Sequence, residues 1–189
     1  YPHWLYLTRT NMEGEEHEKG KTTTVFTSAC GLASAVMVAD RLLPNCEFSL
    51  SDAIDLSYEV KANYRKGTSY DRFAPAFAEK LGLRWESSRD PQDILRCLHT
   101  GGAAVILVGS HGEGKPDLFT RGAHYITAIN EEPDGRIAIL DPYLYEGKFE
   151  EEGRAGKVEM KNGVIALCDM QVLMEETEGR KEIIRQKQA

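Results

Sequence analysis

Cys30 ends the small-polar run Thr27-Ser28-Ala29 and opens Gly31-Leu32-Ala33-Ser34-Ala35-Val36-Met37-Val38, a nearly all-apolar stretch. A cysteine in that setting begins a helix. The unsatisfied N–H groups and the macrodipole at a helix N-terminus favour thiolate over thiol, and such settings bring a thiol pKa down from about 8.5 to roughly 3.5–7.5. The chemistry that follows is nucleophilic attack by sulfur. The plainer alternative is a small buried cysteine that only packs.

A thiolate nucleophile needs a base to hold the ion pair, and the base needs an acceptor to orient it. Of the five histidines, His3 and His17 fall in a loop-rich lead-in, His99 near a helix end and His111 in a glycine-rich loop. His124 instead follows Gly122-Ala123 and begins an apolar strand, which presents the ring rigidly and leaves room for a ligand. Asp141 ends the next strand, just before Pro142. A hairpin folding at Glu132-Pro133 sets His124 directly opposite Asp141, and directly paired side chains share a face with Cβ atoms about 4.5–5.5 Å apart. A Pro133-Asp134-Gly135 loop slides that pairing by three positions, and both registers stay open. Asp-Pro also occurs in plain turns.

The elements that must position these groups are readable in outline. Residues 1–29 form the lead-in, with room for one short strand. A helix over 30–43, apolar all round and hence buried, stops at Pro44-Asn45. Ser49 to Asp52 offers N-cap residues for a second helix reaching about Tyr64, with Ile54, Tyr58 and Ala62 at helical spacing. A third covers roughly 71–81 before Gly82, and Asp90-Pro91 opens a fourth ending near His99. The period then changes. Ala103–Val108 reads as a buried central strand, His124–Ile129 and Arg136–Leu140 as a hairpin, and Lys157–Met160 with Val164–Leu167 as another around Asn162-Gly163. Segments 110–122 and 143–156 are polar, irregular and flank the predicted site. Residues 174–189 read as a solvated helix or a frayed tail. Helices first and an antiparallel sheet second indicate one α+β domain over 1–189.

Composition narrows the partners. A net charge of −7 over 189 residues, with no basic stripe, argues against nucleic acid as the main partner. The longest apolar runs are too short to span a bilayer, so no membrane insertion by the chain as given is expected. Cys30, Cys46, Cys97 and Cys168 form no C-x-x-C pair, and no histidines stand at i,i+4 on a helix, so no metal site or thioredoxin motif is indicated. Tyr1 in place of Met suggests removed upstream residues; a signal peptide there implies an extracytoplasmic location. Oligomeric state is not encoded legibly.

Ser28-Ala29-Cys30-Gly31-Leu32-Ala33-Ser34, the strand Gly101-Gly102-Ala103-Ala104-Val105-Ile106, then Ala123-His124-Tyr125-Ile126, a turn, and Ile139-Leu140-Asp141-Pro142 follow one another in a familiar order. Over roughly residues 25–142 the chain resembles papain-like cysteine peptidases, in the branch of the leader-peptide peptidases of bacteriocin exporters. The resemblance implies a papain-like fold, a central N-terminal helix packed on an antiparallel sheet. It also implies a bacterial thiol hydrolase of peptide or protein substrates, with Cys30, His124 and Asp141 as triad, a thioacyl intermediate and no cofactor. Two positions depart from the pattern. Leu32 replaces the usual Pro, and no Gln precedes Gln92 to complete the oxyanion hole. Asn11 is the only upstream amide, and it is the candidate to share that role with the Cys30 backbone N–H. An acyl transferase with the same triad, or a catalytically silent binding module, is the competing reading.

Overall fold

The structure is a computed structural model that describes residues 5–6, 23–64, 67–109 and 117–186. The described part of the lead-in holds two short strands and a turn of helix. Strand β1 (Leu5–Tyr6) pairs antiparallel with β2 (Thr23–Thr24), and a single turn of helix, α1 (Val25–Ser28), follows at once. Helix α2 (Cys30–Leu42) starts one residue later. Its small residues let it lie deep in the fold, with Leu32, Ala35, Val38 and Ala39 fully buried.

Helix α3 (Leu50–Glu59) is opened by a reciprocal capping box. Asp52 N donates to Ser49 Oγ at 3.2 Å, and Ser49 N donates to Asp52 Oδ2 at 2.8 Å. The helix ends at Glu59, earlier than its apolar spacing suggested. Lys61 takes the left-handed conformation (φ 56°), which no helix continues through. Ala62 is therefore buried in coil, and β3 (Asn63–Tyr64) pairs with β4 (Gly67–Thr68). Helix α4 (Tyr70–Leu81) stops on Gly82 in the left-handed conformation, as the glycine foretold.

Strand β5 (Leu83–Ser88), α5 (Gln92–His99), β6 (Ala103–Val108), β7 (His124–Glu131) and β8 (Ile137–Leu140) come next. Segment 143–156, read as irregular, holds a 3-10 turn at Lys148–Glu150 that buries both Lys148 and Phe149. Then β9 (Val158–Lys161) and β10 (Ile165–Cys168) make the expected last hairpin. The C-terminal segment corrects the sequence reading. As far as Gln186 it is neither solvated helix nor frayed tail: α6 (Met170–Glu175) leads into β11 (Thr177–Gln186), an interior strand. The seven-stranded sheet has the order β5-β11-β6-β7-β8-β10-β9, antiparallel at every pairing.

The sheet separates two apolar cores. Ala103 and Val105 of β6 face α2, α3 and α4, where Phe73, Phe77 and Phe48 pack, while Ala104, Ile106 and Val108 face Phe119, Phe149, Ile94 and Leu173. This alternation is the period-2 geometry of a strand covered on both faces. Two hydrogen bonds tie the central helix to the sheet: Ser34 Oγ donates to Tyr125 O at 3.2 Å, and Thr127 Oγ1 donates to Ser34 O at 3.3 Å. They fix the start of α2 against the start of β7.

Candidate active site

The first of these elements to reach the site is α2, whose N-cap Ala29 offers no side-chain cap to the first N–H groups. Cys30 is half-buried there. Gly31 behind it is obligatory for a packing reason. A Cβ at that position would lie 2.9 Å from both Thr68 Cβ and Tyr70 Cε2, closer than carbon atoms approach. The Tyr70 hydroxyl donates to Gly31 O at 2.6 Å, and the Tyr70 ring stacks on Tyr125 at 4.6 Å between centroids. The first turn of the helix is thereby held from below.

His124 opens β7 and is buried, opposite Val108 of β6. Its Nε2 lies 2.8 Å from Asp141 Oδ1, which leaves Nδ1 for the sulfur of Cys30. The hairpin that joins the two strands takes the three-residue loop of the two registers left open. Glu132 N donates to Arg136 O at 2.8 Å around Pro133-Asp134-Gly135, with Gly135 at φ 86°. Glu131 then pairs with Ile137 and Asn130 with Ala138, but Ala128 pairs with Ile139 and Thr127 with Leu140. Ile129 is the extra residue of a bulge, and its carbonyl accepts from Arg41 Nε at 3.2 Å. His124 is diagonal to Asp141, not directly opposite it, and the two share a face.

Asp141 is held from three sides. Oδ1 accepts from His124 and, at 2.8 Å, from the backbone N–H of Tyr143; Oδ2 accepts from Lys148 Nζ at 2.6 Å. Lys148 is fully buried and also donates to Tyr143 O at 3.0 Å. Nothing in the sequence marked this lysine. It stands in a polar stretch where a solvated lysine is the ordinary expectation.

The charges are consistent with a thiolate–imidazolium pair. Burial pushes the Cys30 thiol up, but hydrogen bonding and charge attraction from His124, with backbone hydrogen bonds of Tyr125 and Gly31, bring it below its ordinary value. Burial pulls His124 down, yet its hydrogen bonds with Asp141 and Cys30 prevail and the imidazole is pushed up to about 9. Burial likewise opposes ionisation of Asp141, and His124 and Lys148 together hold it below the usual carboxylate range.

Beside Cys30 and His124 an open cavity of about 410 Å³ has small walls at Ala29, Ala33 and Ala123 and large ones at Phe26 and Tyr143. The two rings, 59% and 41% exposed, meet edge to face at 5.3 Å. Asn11, like His3, His17 and His111, lies outside the described residues, so a second oxyanion donor is not placed. His99 is at the surface beside Glu131, away from this array. Among the described residues no cluster of three metal-binding side chains occurs, and no helix is long and apolar enough to cross a membrane.

No protein-family profile and no curated protein matches the sequence. Solved structures do. The peptidase domain of Streptococcus ComA, a bi-functional ABC transporter involved in a quorum sensing pathway, aligns with a TM-score of 0.51 at 17% identity, covering 84% of this chain and 91% of that one. A double glycine motif protease from an AMS/PCAT transporter, in complex with the leader peptide, gives 0.48 at 15% identity over 97% and 99%. The N-terminal peptidase C39 like domain of a toxin secretion ATP-binding protein from Vibrio parahaemolyticus gives 0.43 at 12% identity over 85% and 98%. The fold is the expected α+β one, a papain-like architecture with its helix set on an antiparallel sheet.

Proposed function

We propose that this chain is a cysteine-dependent hydrolase of peptide or related amide bonds. One observation carries the reading: a partly buried Cys30 coupled to a buried His124, itself bonded to buried Asp141, on the wall of an open cavity. Substrate stretched along the cavity brings its carbonyl carbon to the Cys30 sulfur. The thiolate attacks, and the oxygen that becomes anionic is met by the Cys30 backbone N–H at the uncapped helix start. Asn11 is the candidate for the second donor.

His124 then gives its proton to the amine nitrogen, the C–N bond breaks, and the acyl group stays on sulfur as a thioester. The neutral imidazole next takes a proton from water, hydroxide adds to the thioester, and the acid leaves as the thiolate–imidazolium pair reforms. Asp141 does not exchange protons; it holds the ring in the tautomer and plane that serve both steps. The route needs no metal or organic cofactor. With an amine replacing water, the same array performs acyl transfer.

The test is a peptide-library digest with wild type and Cys30→Ala, run with and without added amine. Cleavage by wild type alone, with hydrolysed ends, is the expected result. Amine-capped ends instead point to transfer. No cleavage, together with ordinary thiol reactivity, identifies a silent binding module.

A further inference from the structure

Lys148 is the buried charge that the route above does not use. Its side chain is 0% exposed, and its ammonium lies over the rings of Tyr143, Tyr145 and Phe149 at 5.0, 5.7 and 5.7 Å. Two of its three N–H groups go to Asp141 Oδ2 and Tyr143 O. Tyr143 N returns a hydrogen bond to Asp141 Oδ1. The carboxylate is thus fixed by a ring of bonds that starts and ends on one short loop, with one oxygen turned to His124.

We propose that Lys148 is a positioning residue of the site: its ammonium fixes Asp141 as a carboxylate facing His124 and balances the charge of the whole array, so that the Cys30–His124 ion pair forms at lower pH. This rests on the hydrolase reading. Lysine, aspartate, imidazolium and thiolate sum to zero. Without the ammonium the same array carries one net negative charge in a low-dielectric site, and forming a thiolate there becomes harder. Among the described residues, the other charged groups facing these residues are Arg154 and Glu151 near Lys148, which pair with each other at 3.0 Å. Facing Cys30 is Tyr6, a neutral phenol that burial pushes up to about 12.

The consequence has a definite sign. Removing a cation raises the pKa of every neighbouring group, whether thiol or imidazole. Iodoacetamide alkylation of Cys30 across pH should show two inflections, the lower one thiolate formation and the upper one loss of the imidazolium proton. In Lys148→Met both move to higher pH, the lower by about one unit, which is about tenfold less thiolate at a fixed pH beneath it. A lysine that merely supports the fold would act differently when removed. Loosened contact between Cys30 and His124 drives the two inflections towards each other, the thiol up and the imidazole down.

Lys148→Gln offers Asp141 an amide N–H on a side chain one bond shorter and removes the charge, and it is the second variant should Lys148→Met fail to fold by circular dichroism. Both inflections rising in Lys148→Gln is the expected result. Unmoved or converging inflections in that variant overturn the role of Lys148 while leaving the hydrolase reading intact. An ordinary single thiol inflection in wild type overturns both.

Discussion

Ile129 and His124 are linked through the sheet: the one-residue bulge at Ile129 is what turns the His124 side chain to the face of Asp141. Near the turn, Glu131 pairs with Ile137. Continued without interruption, that register puts His124 on the face opposite Asp141, because one residue of slip inverts every side chain. The bulge cancels the slip. Bulges recur beside active sites for this reason.

Deleting Ile129 therefore tests the site without altering any group in it. The expected product is a folded sheet, by circular dichroism, whose Cys30 alkylates as an ordinary thiol. Retained fast alkylation at neutral pH would mean that the hairpin accommodates the deletion elsewhere, and the bulge would lose this role.

His124→Ala removes the imidazolium that brings the thiol down. An ordinary thiol of about 8.5 is only about 3% thiolate at pH 7; with the imidazolium gone and burial still pushing Cys30 up, its alkylation falls to that level or below. Asp141→Ala slows it less, since the carboxylate acts through the ring. Equal rates for wild type and His124→Ala at pH 7 would remove the triad from consideration.

The His124 ring should titrate near 9 in a histidine NMR experiment. Its folded value exceeds the unfolded one of about 6.5, so its contribution to stability is whole below pH 6.5 and is lost as the pH rises through 9. Cys30→Ala deletes one of the bonds that hold the proton, and the ring then titrates lower than in wild type. A shift upward would contradict the coupling.

Gly31→Ala forces a methyl into space already held by Thr68 and Tyr70. Overpacking of this kind costs about 1–3 kcal/mol, measurable as a lower urea midpoint. The first turn of α2 moves to relieve it, so Cys30 reactivity falls too. Full reactivity with unchanged stability would show that the Tyr70 contact yields freely.

Cys97 and Cys168 are fully buried, and burial pushes Cys168 up to about 12. Mass mapping after brief alkylation at pH 7 should find the label on Cys30. Cys46, Cys97 and Cys168 replaced together by Ala or Ser should leave that rate intact, at a cost in core packing of about 1–2 kcal/mol. Labelling of Cys97 or Cys168 ahead of Cys30 would reverse the assignment.

Local chemistry was legible in the residues themselves. A cysteine opening an apolar helix, a glycine closing another, and a histidine and an aspartate at strand ends are all signals carried within a few positions, because helix and strand periods repeat at that range. The helix start at Cys30 and strand β6 follow from them residue for residue. What depended on partners far along the chain was not legible. Thr177–Gln186 reads as a charged tail, yet it is drawn between β5 and β6 by backbone hydrogen bonds, which any sequence supplies. The bulge at Ile129 reflects competition between a turn and a sheet register, and Lys148 gained its counter-ion only when the chain folded the loop after Asp141 inward. Side-chain identity sets what each group can do; burial and register, decided by the assembled sheet, set which groups meet and in what charge state.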